Sequence, residues 1–137
     1  MLIRTLVVSD DARTSSALAT AITGAGHQSH TLPSTIGATR LIQSEQIQVV
    51  VLDLSGPEVD GHKLARVLHQ DRRFTRPGFV IVTSRPTEEL QPVAIALGAR
   101  DILQHDRVDA ELADALHKAR PRSQPRPSRP GVDSIPA

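Results

Sequence analysis

The sequence predicts an α/β fold: a five-stranded parallel sheet with helices on both faces. Three observations lead there. Apolar runs alternate with helical patterns of roughly 10–12 residues along the chain, the rhythm of right-handed βαβ crossovers. Val49-Val50-Val51-Leu52 is apolar without alternation, as expected of a strand covered on both faces. That run ends in Asp53, with Gly56-Pro57 and Asp60-Gly61 just beyond. A carboxylate is thereby set at the rim of the sheet, where α/β proteins bind ligands.

The elements follow in order. Ile3–Val8 is an apolar strand, and Thr14–Gly24 carries Leu18, Ala21 and Ile22 at helical spacing. His27–Leu32 is polar for a strand, which suits a sheet edge. Ser34–Ser44 has Ile36, Leu41 and Ile42 on one side, with Ser34 as an N-cap. After the strand Val49–Leu54 comes a helix over Gly61–Asp71, with Leu64, Val67 and Leu68 inward. Phe79–Thr83 is the fourth strand. The next helix begins near Leu90, which keeps Pro92 in its first turn, and ends at Gly98. A short strand, Asp101–Leu103, and a helix over Val108–Lys118 complete the series. The first, third and fourth strands are the most apolar and belong in the middle, which fits the 2-1-3-4-5 order of flavodoxin-like folds.

Composition bounds the chemistry. Of 137 residues, 39% are hydrophobic but only Phe74 and Phe79 are aromatic, so the core is aliphatic. Cysteine is absent, which excludes disulfides, thiolate metal sites and a Cys nucleophile. The N-terminus lacks the length and charge order of a signal peptide, and no apolar run approaches the ~20 residues of a membrane span. A soluble cytoplasmic protein with no membrane partner is expected. The domain is read as residues 1–119 and residues 120–137 as a Pro/Arg-rich disordered tail, too poor in apolar surface to order itself. From Lys118 onward five cations face Asp133, a net of +4, which leaves −3 for the preceding 117 residues under the formal total of +1. With no aromatic residue to stack on bases, the tail is not read as a nucleic-acid binder.

In this strand order a crevice opens at the C-terminal ends of the first and third strands. Asp10 and Asp11 follow the first strand, Asp53 ends the third, Thr83 and Ser84 end the fourth, and His105 follows the fifth. Carboxylates from two strands, with a loop carbonyl such as that of Ser55, supply the hard oxygens Mg²⁺ prefers. An Asp carboxylate can attack phosphorus to form an acyl phosphate, and a Thr hydroxyl can donate to a phosphoryl oxygen. The plainer reading of Asp10 and Asp11 is that they cap the first helix, which does not exclude metal binding.

These residues resemble the receiver domain of bacterial two-component response regulators, over about residues 1–119. The likeness lies in Ser9-Asp10-Asp11, the strand-ending Asp53, Pro57, Asp60-Gly61, Thr83 thirty residues past Asp53, and Gly98-Ala99-Arg100-Asp101 before the fifth strand. The resemblance implies that Asp53 is the phosphoacceptor, Asp10 the direct Mg²⁺ ligand with Asp11 auxiliary, and Thr83 the hydroxyl switch residue. It also implies departures. Ser9 stands in place of the first acid, His105 in place of a lysine, Asp106 in place of a proline, and Ile102 in place of an aromatic switch residue. Gly56 stands where a larger apolar side chain is usual. Histidine is shorter than lysine and mostly neutral at pH 7, so two readings of His105 compete: it partly replaces the lysine when the nearby phosphate protonates it, or, as favoured here, it marks a weakened or lost coupling between phosphorylation and shape change. His27, His30, His62, His69 and His117 form no cluster and are read as surface side chains.

The implied function is phosphoryl transfer from a histidine kinase or phosphotransfer protein to Asp53, with no enzyme activity beyond the domain's own phosphorylation and dephosphorylation. A chain of this length has no room for an output domain, so output is expected by docking, through the fourth helix, fifth strand and fifth helix. A homodimer is compatible with the same surface. The alternative is a phosphorylation-independent receiver-like adaptor, which His105 and Ile102 favour and which Asp53, Asp10 and Thr83 oppose. A small-molecule-binding flavodoxin-like domain finds no support, since a Gly-rich phosphate loop is missing.

Overall fold

A computed structural model of the chain describes residues 2–57, 59–70 and 76–121. Strands β1 (Arg4–Val8), β2 (Gln28–Leu32), β3 (Val49–Asp53), β4 (Gly78–Thr83) and β5 (Asp101–Gln104) form one sheet in the order β2-β1-β3-β4-β5. Every neighbouring pair is parallel. The helices are α1 (Ala12–Gly24), α2 (Ala38–Ser44), α3 (Gly61–Gln70), α4 (Gln91–Leu97) and α5 (Val108–Ala119). Short 3₁₀ turns over Thr87–Leu90 and His105–Arg107 lead into α4 and α5.

The unbroken apolar run of β3 is explained by what lies on each side of it. Val49 and Val51 face a core shared with Leu18 and Ile22 of α1 and Leu112 and Leu116 of α5. Val50 and Leu52 face the opposite core, with Ile42 of α2, Leu64 and Leu68 of α3 and Leu97 of α4. Both residue parities therefore meet apolar side chains, and full burial of each is worth about 1.5–3 kcal/mol against exposure. In the register, Val51 lies between Val7 and Val80, and Asp53 stands opposite Val82.

Two glycines mark close approaches. A Cβ on Gly61 would come within 2.7 Å of Val93 Cγ2, so α3 and α4 touch where Asp60-Gly61 opens α3. Asp60 caps that helix, its Oδ1 accepting from the Lys63 N–H at 2.9 Å. At the other end of the sheet a Cβ on Gly78 would overlap the Ala119 carbonyl, where the end of α5 lies across the start of β4.

Several expectations are corrected. The second helix begins at Ala38, not Ser34, because Gly37 sits at φ 84°, a left-handed backbone that interrupts the helix before it. Ser34 instead accepts from the Ile36 N–H at 3.2 Å within a turn. Ile36 projects into solvent at 84% exposure, so it belongs to no apolar face. Val67 lies at the solvent edge of α3, whose inner face is Gly61, Leu64, Ala65 and Leu68. Asp71 and, from residue 122, the tail lie outside the described residues.

His27 is the clearest correction. It is buried rather than a surface side chain, and its Nδ1 accepts from the Ile3 N–H at 3.0 Å, joining the entry of β2 to the start of β1. Its ring also meets His117 of α5 edge to face, 5.4 Å between centroids. Burial, and then the neighbouring His117, hold its pKa below the ordinary 6.5. The folded state thus binds fewer protons at His27 than the unfolded chain. The stability it adds is complete above about 6.5 and is lost as pH falls through the lower folded-state value. His27→Leu strands a buried N–H and should cost about 1–3 kcal/mol at pH 7.5. Thermal melts of both proteins should differ at pH 7.5 and converge as the pH drops toward 5. A constant gap across that range would show that the neutral ring is not what stabilises the corner.

Candidate functional site

Asp53 ends the most buried strand, and its carboxylate is only 2% exposed. A carboxylate so enclosed must find hydrogen-bond donors within the protein. Ser9, just past β1, donates its hydroxyl to Oδ2 at 2.7 Å. Ser55, two residues beyond Asp53, donates its backbone N–H to Oδ1 at 3.1 Å and its hydroxyl at 2.6 Å. His105 Nε2, just past β5, lies 3.3 Å from Oδ1. Segments following three different strands thus converge on one side chain.

The protons in this network can be placed by counting. The Ser55 hydroxyl has a single hydrogen, and the short 2.6 Å contact commits it to Asp53. Its two lone pairs then accept from the Ser84 N–H at 3.0 Å and from His105 Nε2 at 3.1 Å. Nε2 of His105 must therefore carry a hydrogen, which it shares between Ser55 and Asp53. Thr83 is fully buried; its hydroxyl accepts from the Arg85 N–H at 2.9 Å and donates to the Leu54 carbonyl at a long 3.5 Å.

The acidic loop divides its roles. Asp11 is the N-cap of α1. Its Oδ2 accepts from the Thr14 hydroxyl at 2.7 Å and its Oδ1 from the Arg13 N–H at 3.4 Å. The Thr14 hydroxyl, followed by the Arg13 amide, holds its pKa below the ordinary carboxylate value. Asp10 is exposed, and its Oδ2 lies 3.6 Å from where a Cβ on Gly56 would stand. The small residue at 56 therefore leaves the Asp10 carboxylate uncovered at the mouth of the site.

Among the described residues no three His, Asp or Glu side chains gather as a metal cluster. The charged oxygens that could serve a cation are those of Asp53 and of Asp10, whose carboxylate lies beside Gly56 of the β3–α3 loop. Such a set fits a hard cation that keeps several of its waters, as Mg²⁺ does. Ser9 contributes a neutral hydroxyl where a third carboxylate could have stood, so the set carries two negative charges.

Other positions fall as follows. Ile102 is partly buried against the core shared with α3 and α4. Ser55, expected to lend only a carbonyl, touches Asp53 through its amide and hydroxyl. An Asp with a Ser two residues on is the spacing of an Asx turn, and that local signal was available in the sequence. Gln104 was not foreseen. Its Nε2 donates to the Arg85 carbonyl at 2.7 Å, from nineteen residues away, and nothing local announces it.

Comparison with known proteins bears on the family and the fold. A family profile described as the response regulator receiver domain matches residues 5–117. A curated relative, protein-glutamate methylesterase/protein-glutamine glutaminase 3 of Rhodopseudomonas palustris, is 34% identical over 143 aligned positions. That alignment covers 93% of this chain and 38% of the relative, so the chain spans well under half the relative's length. The crystal structure of a response regulator signal receiver domain from Bermanella marisrubri superposes with a TM-score of 0.74 at 27% identity, covering 85% of this chain and 96% of that one. The response regulator TrrA of Thermotoga maritima, solved in complex with Mg²⁺-BeF, superposes with a TM-score of 0.70 over 85% of this chain and 98% of its own, at 19% identity, a likeness of fold alone.

The Ser9–Asp53 bond gives a direct test of the network. A hydrogen bond to a buried charge contributes about 1.5–3 kcal/mol, so Ser9→Ala should lower the melting temperature by several degrees at neutral pH. The loss should largely vanish in an Asp53→Asn background, where no charge needs the hydroxyl. A double-mutant cycle in chemical denaturant measures this, and purely additive effects would refute the coupling.

Proposed function

The chain belongs to the response regulator receiver domain family, and we propose that Asp53 is its phosphoacceptor, with Mg²⁺ held by Asp10, Asp53 and the Ser55 carbonyl. The observation that carries the reading is the Asp53 carboxylate itself, 2% exposed at a strand end and served by donors from the segments after β1, β3 and β5.

In the proposed reaction a carboxylate oxygen of Asp53 attacks the phosphorus of a phosphohistidine. The O–P bond forms as the N–P bond breaks, and the imidazole leaves with its electron pair. Mg²⁺, when bound, supplies neutralisation of the phosphoryl charge. The chain's own groups do the rest. The Thr83 hydroxyl exchanges its poor bond to the Leu54 carbonyl for a phosphoryl oxygen. His105 Nε2–H donates to another phosphoryl oxygen, where a lysine would bring a fixed ammonium. Ser9 keeps its hydrogen on the acyl group.

A receiver signals in response to phosphorylation, and this reading is favoured over the phosphorylation-independent adaptor. Receivers of this family exchange phosphoryl groups with histidine kinases or phosphotransfer proteins and act on downstream effectors. We assign this chain a partner of the first kind and a downstream protein that docks on the face formed by α4, β5 and α5, in the cytoplasm. Among the described residues no helix is long and apolar enough to cross a membrane. The methylesterase and glutaminase names belong to the larger relative, and no esterase activity is assigned to this chain.

Incubation with acetyl phosphate and Mg²⁺ should give one phosphoryl adduct by intact mass, absent in Asp53→Ala. An adduct that persists in the variant would place the acceptor elsewhere. Asp10→Ala should weaken Mg²⁺ affinity at least tenfold, since removing one of two charged ligands costs more than ~1.4 kcal/mol. Ser9→Asp should tighten it by restoring a third carboxylate. Metal titrations that leave all three proteins alike would remove the ligand assignment.

A further inference from the structure

The sequence departs from its family at the ring position of β5, where Ile102 has no aromatic side chain to move, so any route from Asp53 to α4 must use other groups. The turn after β4, Ser84-Arg85-Pro86, is held at three backbone atoms. The Ser84 N–H is held by the Ser55 hydroxyl at 3.0 Å, and that hydroxyl is bound to Asp53. The Arg85 N–H is held by the Thr83 hydroxyl at 2.9 Å. The Arg85 carbonyl is held by Gln104 Nε2 at 2.7 Å. Beyond the turn, the Arg85 guanidinium pairs with Glu89 Oε1 at 3.0 Å, which ties the turn to the 3₁₀ segment that runs into α4.

The three anchors differ in kind. The first hangs on the Ser55 hydroxyl, which is bound to Asp53, so a phosphoryl group there gives it a new and more highly charged acceptor; the second hangs on the Thr83 hydroxyl, whose own hydrogen makes only a long bond to the Leu54 carbonyl. The third comes from β5, on the same strand face as Ile102 because side chains two residues apart share a face. Gln104 carries no charge and faces a backbone carbonyl, so the chemistry at Asp53 does not alter its bond directly. It is therefore the anchor that stays in place when the Ser55 hydroxyl reorients.

We propose that Gln104 is a positioning residue that holds the β4–α4 turn by the Arg85 carbonyl, so that a change at Asp53, carried to the turn by the Ser55 hydroxyl, moves a turn that is fixed from β5. The inference rests on the reading of Asp53 as phosphoacceptor. It adds the route by which phosphorylation reaches α4.

Amide hydrogen exchange of residues 84–90, read by mass spectrometry on the full chain, tests this with and without acetyl phosphate and Mg²⁺. Gln104→Leu and the isosteric Gln104→Glu both remove the N–H donor. Without phosphodonor, each should exchange residues 84–90 about three- to tenfold faster than wild type, the scale of one lost hydrogen bond. Intact mass should still show one adduct in all three proteins. On phosphorylation the wild-type segment should change its exchange severalfold, while the variants should stay near their own starting rates. Variants that exchange like wild type at rest, or that show the full wild-type change on phosphorylation, would overturn the proposal. If wild type itself takes no adduct, the phosphoacceptor reading fails and the coupling falls with it, whereas the resting rates still decide whether Gln104 holds the turn. Melting curves for each variant separate a local loosening from global unfolding.

Discussion

A buried carboxylate at the end of a strand covered on both sides needs donors, and among the described residues no permanent cation supplies them. Two hydroxyls, one amide and one imidazole N–H surround the two oxygens of Asp53. Each comes from a segment that its own strand carries to the same edge of the sheet. The parallel order β2-β1-β3-β4-β5 is what brings Ser9, Ser55 and His105 within reach of one another. A shift of one residue in β3 would turn Asp53 toward the opposite face, away from every one of these partners.

The rim holds the carboxylates of Asp10 and Asp53 among neutral partners. A lysine at position 105 would hold its charge at any physiological pH, and an acid at position 9 would add a further anion. The chain has neither. Ser9 supplies a hydrogen where an acid would have supplied an anion, and His105 offers a single N–H where an ammonium would have offered three. One cation and one anion are absent together, so the net charge is the same as with a lysine at 105 and an acid at 9, while the number of charged groups is smaller. The hydroxyls of Ser9 and Ser55 both give their hydrogen to Asp53, and a hydroxyl can redirect its one hydrogen at little cost.

The remainder of the molecule keeps that edge in place. The α3–α4 contact at Gly61 and the packing of α5 over Gly78 admit no side chain, so the helices that frame β4 sit close to the sheet. On the far side, His27 joins β1, β2 and α5 through one buried ring. Its neutral form is required there, which ties the stability of the corner to pH although the ring lies remote from Asp53.

By itself the sequence determined the class of fold, the order of its strands and the identity of the central carboxylate. Alternating apolar runs and helical spacings are local signals, and the unbroken run Val49–Leu52, short and rich in valine, reads as a strand covered on both faces. The start of α2 was misread because a left-handed Gly37 leaves the apolar spacing of Ile36, Leu41 and Ile42 intact while it breaks the helix. The burial of His27 was hidden because its partner, the Ile3 amide, lies twenty-four residues away. The capping of α1 by Asp11 and the turn that brings Ser55 onto Asp53 are local and were legible in the chain, whereas tertiary structure alone decided that Ser9 and His105 meet Asp53 and that Gln104 grips the turn after β4. Hydrogen bonds between strand ends depend on distances of a few tenths of an ångström set by sheet register and loop path, and residue spacing along a chain carries no record of those.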